Sequence, residues 1–223
     1  MIAVKAIILF AHLYASATDS VMTGLCTDEH AGEGAIDGFK FLQEDMRVDL
    51  VMTSLTEVLK HPDGDSVKCI TALTITKDED THEVTEVVSY KRGVEEKWEH
   101  FGQTYKFEQP EGEANYVTMN NTQLSGAPSG IYTFTYVLKD CAVVTVKAFG
   151  TRLDEMEPAE RSDENEEDRR PDCIVWQKQN TNRATEKCCE KHFTAMCRPK
   201  NKGYEYNPNK CGTPIIDEEH SEL

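Results

Sequence analysis

The stretch Arg47-Val48-Asp49-Leu50-Val51-Met52 opens with polar and apolar residues in alternation, the period of a strand with one buried face. Just upstream, residues 34–45 (GAIDGFKFLQED) follow a different period. Ile36, Phe39, Phe41 and Leu42 recur at helical spacing and predict a short helix leading into the first strand. Downstream, strand-like runs return at 67–75, 83–90, 97–107, 114–119, 131–138, 142–149 and 173–177. Turn signals separate them, among them His61-Pro62-Asp63-Gly64-Asp65, Gln109-Pro110-Glu111-Gly112 and Gly126-Ala127-Pro128-Ser129-Gly130. Short strands with no helices between them read as an all-β sandwich or an antiparallel up-and-down barrel, not a parallel α/β sheet. Eight antiparallel strands can close on themselves and leave room for one small ligand.

Helical spacing returns at 183–196 (RATEKCCEKHFTAM), where Ala184, Cys188, Phe193 and Met196 are expected to pack. Between the last two strands, residues 153–171 carry no strand period, and nine of the fifteen positions from 154 to 168 are acidic. That composition predicts a solvated loop. It lacks the D-x-[DN]-x-[DN]-G pattern of a calcium loop, so no calcium site is expected.

The ends of the chain set the compartment. Residues 1–17 combine a basic start at Lys5, an apolar run from Ala6 to Tyr14 and a small-residue Ala15-Ser16-Ala17 site. This is the pattern of a secretory signal peptide, and its apolar run is too short to span a bilayer. The expected product is one extracellular domain over 18–223, monomeric and without a membrane span. The final His220-Ser221-Glu222-Leu223 resembles an ER-retention tail but has serine in place of its aspartate, so export is the expectation. A single sequon at Asn120-Asn121-Thr122 predicts a glycan on Asn120, on a surface turn.

The chain has 223 residues, a formal charge of −16 and eight cysteines. That charge excludes nucleic acid and anionic membrane as partners, since both would be repelled. In an oxidising compartment the even cysteine count predicts disulfides, with the pairing left open. Cys188-Cys189, His192 and Cys197 lack the spacing of a zinc set, so no metal is expected. Cys26 near His30 shows no arrangement of nucleophile and base. No paired acid and base stands at a recognisable spacing, so neither an enzyme nor a cofactor is expected.

Several short motifs taken in order resemble the tick salivary lipocalins, the histamine-binding protein family. They are Asp37-Gly38-Phe39, similar to the family's Asp-Ala-Trp, then Asp140-Cys141-Ala142-Val143 and Cys173-Ile174-Val175-Trp176. Cys188-Cys189 and Tyr206-Asn207-Pro208-Asn209-Lys210-Cys211 complete the series. The early Cys26 is similar to that of soft-tick members. The resemblance implies an eight-stranded up-and-down lipocalin barrel with a short N-terminal helix and a C-terminal helix. It implies the pairs Cys69–Cys211, Cys141–Cys189 and Cys26–Cys188, leaving Cys173 and Cys197 to join. It implies a secreted protein that sequesters small mediators of host inflammation, either amines such as histamine and serotonin or lipids such as leukotrienes. The alternative is a protein-binding inhibitor of host complement or haemostasis, for which the acidic segment 154–168 would meet a basic partner.

Amine-binding members of that family hold carboxylates inside the barrel in Cys-Asp and Cys-Glu-Leu-Trp patterns, because a buried ammonium must be paired. The matching positions here are Ala142 and Ile174. Asp49, Glu83 and Glu86 are candidate replacements, with the face of each left open. An eicosanoid or fatty acid fits the substituted wall better. The expected ligand contacts are Phe39, Trp98, Tyr105, Tyr116 and Trp176, with Tyr132, Phe134 and Tyr136 on one face of a single strand. Arg92, Lys106 and Lys147 are the cations available to a lipid carboxylate. The competing reading makes these aromatics packing residues, with Trp176 under the terminal helix.

Overall fold

In the computed structural model the described residues are 26, 36–56, 66–93, 96–122, 130–147, 149, 170–179, 181, 183–204 and 206–216. The expected signal peptide, His30, the acidic positions 154–168 and the C-terminal tetrapeptide lie outside them.

Eight strands form one closed barrel in sequential order, with the first and last also paired antiparallel. They are β1 (Arg47–Thr53), β2 (Val67–Asp78), β3 (Glu83–Arg92), β4 (Lys97–Glu108), β5 (Thr118–Asn121), β6 (Ile131–Val137), β7 (Cys141–Lys147) and β8 (Asp172–Lys178). Closure removes the unpaired edges that an open sheet would present. One end of the barrel is sealed by α1 (Gly38–Phe41), a single turn capped by the Asp37 carboxylate accepting from the Lys40 amide at 2.9 Å.

The helical spacing of 34–45 therefore supports only four helical residues. Leu42 is already extended, and Asp45 turns the chain at a left-handed φ of 59° so that its amide reaches the Thr74 carbonyl at 2.9 Å. Gly38 is required where the turn meets β6, because a Cβ there would overlap the Phe134 ring. The strand expected at 114–119 forms instead at Thr118–Asn121. Its first residues are drawn to the barrel end, where the Tyr116 carbonyl accepts from the Gly38 amide at 2.9 Å.

Two apolar clusters result. One fills the barrel and includes Leu50, Val84, Phe107, Phe134 and Val144. The other lies between the outer face of β7 and β8 and the helix α2 (Arg183–Met196), with Val143, Val175 and Phe193 at its centre. Met196, expected to pack, is 53% exposed, and the buried position at that end of the helix is Cys197. Four disulfides tie the outside together: Cys26–Cys188, Cys69–Cys211, Cys141–Cys189 and Cys173–Cys197, the same four pairs that the resemblance implies. The tail after α2 crosses β1, where the Tyr204 hydroxyl donates to the Leu50 carbonyl at 2.7 Å, and ends in the turn α3 (Pro208–Cys211).

Candidate ligand-binding site

Strand alternation sends every second side chain into the barrel, and there they surround a cavity of about 80 Å³. Leu50, Ile70, Val88 and Ile174 supply its aliphatic wall, while Met119, Phe101, Phe149 and Trp176 add sulfur and aromatic faces. Tyr105 and Tyr132 meet edge to face, their ring centroids 5.8 Å apart.

Among the described lining residues one is ionisable in the physiological range. Glu86, on the inward face of β3 between Val84 and Val88, is 4% exposed. Its Oε1 accepts from the Thr74 hydroxyl at 3.4 Å. Burial raises this carboxyl to about 7, the Thr74 hydrogen bond opposing the shift only in part. Burial also raises Tyr105 and Tyr132 above the ordinary phenol range, so both remain neutral donors. The combination is an apolar and aromatic chamber with one buried carboxyl.

The other acids proposed for this role point elsewhere. Asp49 lies on the outward face of β1, where Arg47 Nε stands 3.2 Å from its Oδ1. Glu83, at the opposite end of β3 from Arg92, faces Lys106 at 4.0 Å. Of the three cations expected to receive a carboxylate, Lys106 and Lys147 are exposed on the outward face of their strands. Arg92 lies on the inward-facing set of β3 but beyond the cavity wall, and it pairs with Glu99 at 3.3 Å. Glu99 also accepts from the Tyr90 hydroxyl at 2.9 Å.

Of the expected aromatic contacts, Tyr105, Tyr132 and Trp176 meet at the cavity. Phe134 points inward but packs between Phe41 and Phe107, toward the sealed end. Phe39 and Tyr116 belong to that seal, Phe39 lying 5.4 Å from Phe107 and Tyr116 stacking on His82 at 3.8 Å. Trp98 lies on the outer wall beside the Lys91 ammonium, 5.3 Å from its ring. Tyr136 also leaves the barrel: a bulge between Phe134 and Tyr136 inverts the alternation and stacks Tyr136 on His192 of α2 at 4.4 Å. Asn120 sits within β5 rather than on a turn, and its Oδ1 is buried.

Leu50, Ile70, Val88, Phe101, Met119 and Phe149 line the cavity without having been singled out. The signal for Glu86 was its place two residues from both Val84 and Val88, which puts all three on one face. Among the described residues no group of three His, Cys, Asp or Glu side chains is arranged to hold a metal.

A closed eight-stranded up-and-down barrel, plugged by a helix at one end and strapped by a second helix, is a lipocalin. The family model described as tick histamine binding protein matches residues 28–152, more than half of the 223-residue chain, and the chain belongs to that family. Among solved structures it is similar to Japanin from Rhipicephalus appendiculatus bound to cholesterol. That likeness has 13% identity and a TM-score of 0.46, and covers 72% of this chain and 92% of Japanin. No curated protein sequence matches the chain.

Proposed function

We propose that this lipocalin is a secreted scavenger whose barrel captures a small monoamine with an aromatic or apolar body, and so removes a mediator of host inflammation. The observation that carries this reading is Glu86, a buried carboxyl on the wall of an otherwise apolar and aromatic cavity. An ammonium placed beside it exchanges two costly desolvations for one ion pair, and Tyr105, Tyr132 and Trp176 offer faces to the rest of the molecule. Glu86 takes over from the opposite wall the task that Ala142 and Ile174 do not perform.

Size supports the same choice. The cavity of about 80 Å³ lies well below the roughly 300–1,000 Å³ of pockets for drug-sized ligands, so any organic ligand must open it, and a small amine asks for the least expansion. An eicosanoid or fatty acid would need a much larger expansion and would bring a second carboxylate toward Glu86.

Calorimetric titration of the full protein at pH 8 with histamine, serotonin and a leukotriene tests this. The amines are expected to bind, and Glu86→Gln to weaken them by about a hundredfold, the worth of roughly 2–3 kcal/mol for a desolvated charged hydrogen bond. Tight leukotriene binding with inert amines would overturn the reading.

A further inference from the structure

Outside the barrel a recess of about 560 Å³ runs along β1 and β8, between α2 on one side and the C-terminal tail on the other. Its volume falls within the range of about 300–1,000 Å³ usual for small-molecule sites, which the internal cavity does not reach. Val51, Met52 and Val175 form an apolar floor. Both walls are covalently anchored, α2 to β7 through Cys141–Cys189 and the tail to β2 through Cys69–Cys211, so the recess is formed before any ligand arrives.

At one end stands Asp49, 6% exposed in a position where burial raises its carboxyl above the usual range. Tyr206 and Arg47 face it. Its Oδ1 nevertheless receives no hydrogen bond: Arg47 Nε stands 3.2 Å away as an ion pair without hydrogen-bond alignment. Glu186 and Glu190 add two acids from α2, one helical turn apart. Three cations stand against these three acids, the first being Arg47 beside Asp49. Lys200 is exposed on its edge, and the Lys178 ammonium lies 4.7 Å from the Phe41 ring at the sealed barrel end.

We propose that this recess is a second ligand site, separate from the barrel cavity, for an organic cation: an ammonium, amidinium or guanidinium on an apolar body, with Asp49 as its anchor. The cation pairs with the Asp49 carboxylate in competition with Arg47 and is drawn by Glu186 and Glu190, while the apolar body covers Val51, Met52 and Val175. The assignment is independent of what the barrel holds.

Benzamidine, a planar amidinium on a phenyl ring, is a suitable probe. Calorimetric titration is carried out on the full chain carrying Glu86→Gln, which silences the internal carboxyl. One benzamidine per chain is expected to bind. Adding Asp49→Asn should weaken it by about tenfold or more, the usual worth of one charge-assisted hydrogen bond. Adding Val51→Trp instead should abolish binding by filling the floor while leaving Asp49 in place. Circular dichroism verifies the fold of each variant, and the tryptophan variant keeps the test decisive if the asparagine variant misfolds. Failure of benzamidine to bind the Glu86→Gln protein, or binding unchanged by the floor substitution, would overturn the proposal.

Discussion

Glu86 couples the barrel interior to pH in two opposite ways. Its carboxyl is raised from 4.5 to about 7 by burial, so between those values the folded protein holds a proton that the unfolded chain has lost. The resulting stability is fully present below pH 4.5 and is lost as pH rises through about 7, a difference of order 3 kcal/mol for a fully buried group. The ligand-free protein should therefore melt progressively lower from pH 5 to pH 8 relative to Glu86→Gln, which lacks this group; parallel melting curves across that range would refute it. Amine capture has the reverse sign, because the ammonium selects the ionised carboxylate, and affinity should fall about tenfold per unit below pH 7. The same residue shows what single positions reveal and conceal. Its neighbours Val84 and Val88 mark its face in the sequence. Its apolar and aromatic surroundings come from strands far away in the chain.

At the scale of elements, strand and helix positions follow closely from periodicity, because each strand's alternation is a local property. The departures occur where another element pulls. Thr118–Asn121 starts later than its apolar run because α1 claims the Tyr116 carbonyl, and the bulge in β6 sends Tyr136 to α2. The helix α2 contributes to stability rather than to the cavity: its buried positions meet the outer face of β7 and β8, and three of the four disulfides end on or just after it. Replacing Cys141 and Cys189 together with alanine opens a link across 48 residues and should cost about 4 kcal/mol on the chain-entropy model. Urea unfolding would register that loss. Titration of the same variant should give amine affinity within about a factor of two of the native protein, since β7 and β8 remain paired without it.

At the scale of the whole molecule, the −16 charge and the apolar cavity would serve different steps of the proposed amine capture. Under that proposal, long-range charge sets how often a cation arrives, and the buried carboxyl sets how long it stays. Raising ionic strength from about 0.01 M to 1 M shortens the screening length from roughly 30 Å to 3 Å. The association rate of a monocationic amine should fall by about tenfold or more over that range, while a neutral analogue keeps its rate. Stopped-flow quenching of Trp176, which lines the cavity, is the measurement.

By itself the sequence determined the eight strands, the terminal helix and the family, because hydrophobic period and cysteine order are written residue by residue. It also determined that positions 142 and 174 carry no acid. Only the tertiary structure decided which acid faces in, that Trp98 and Tyr136 face out, and that the cavity is small. The physical reason is that alternation assigns residues to one of two faces without saying which is inner. Barrel closure and the bulges of β1 and β6 settle that choice through partners distant in the chain.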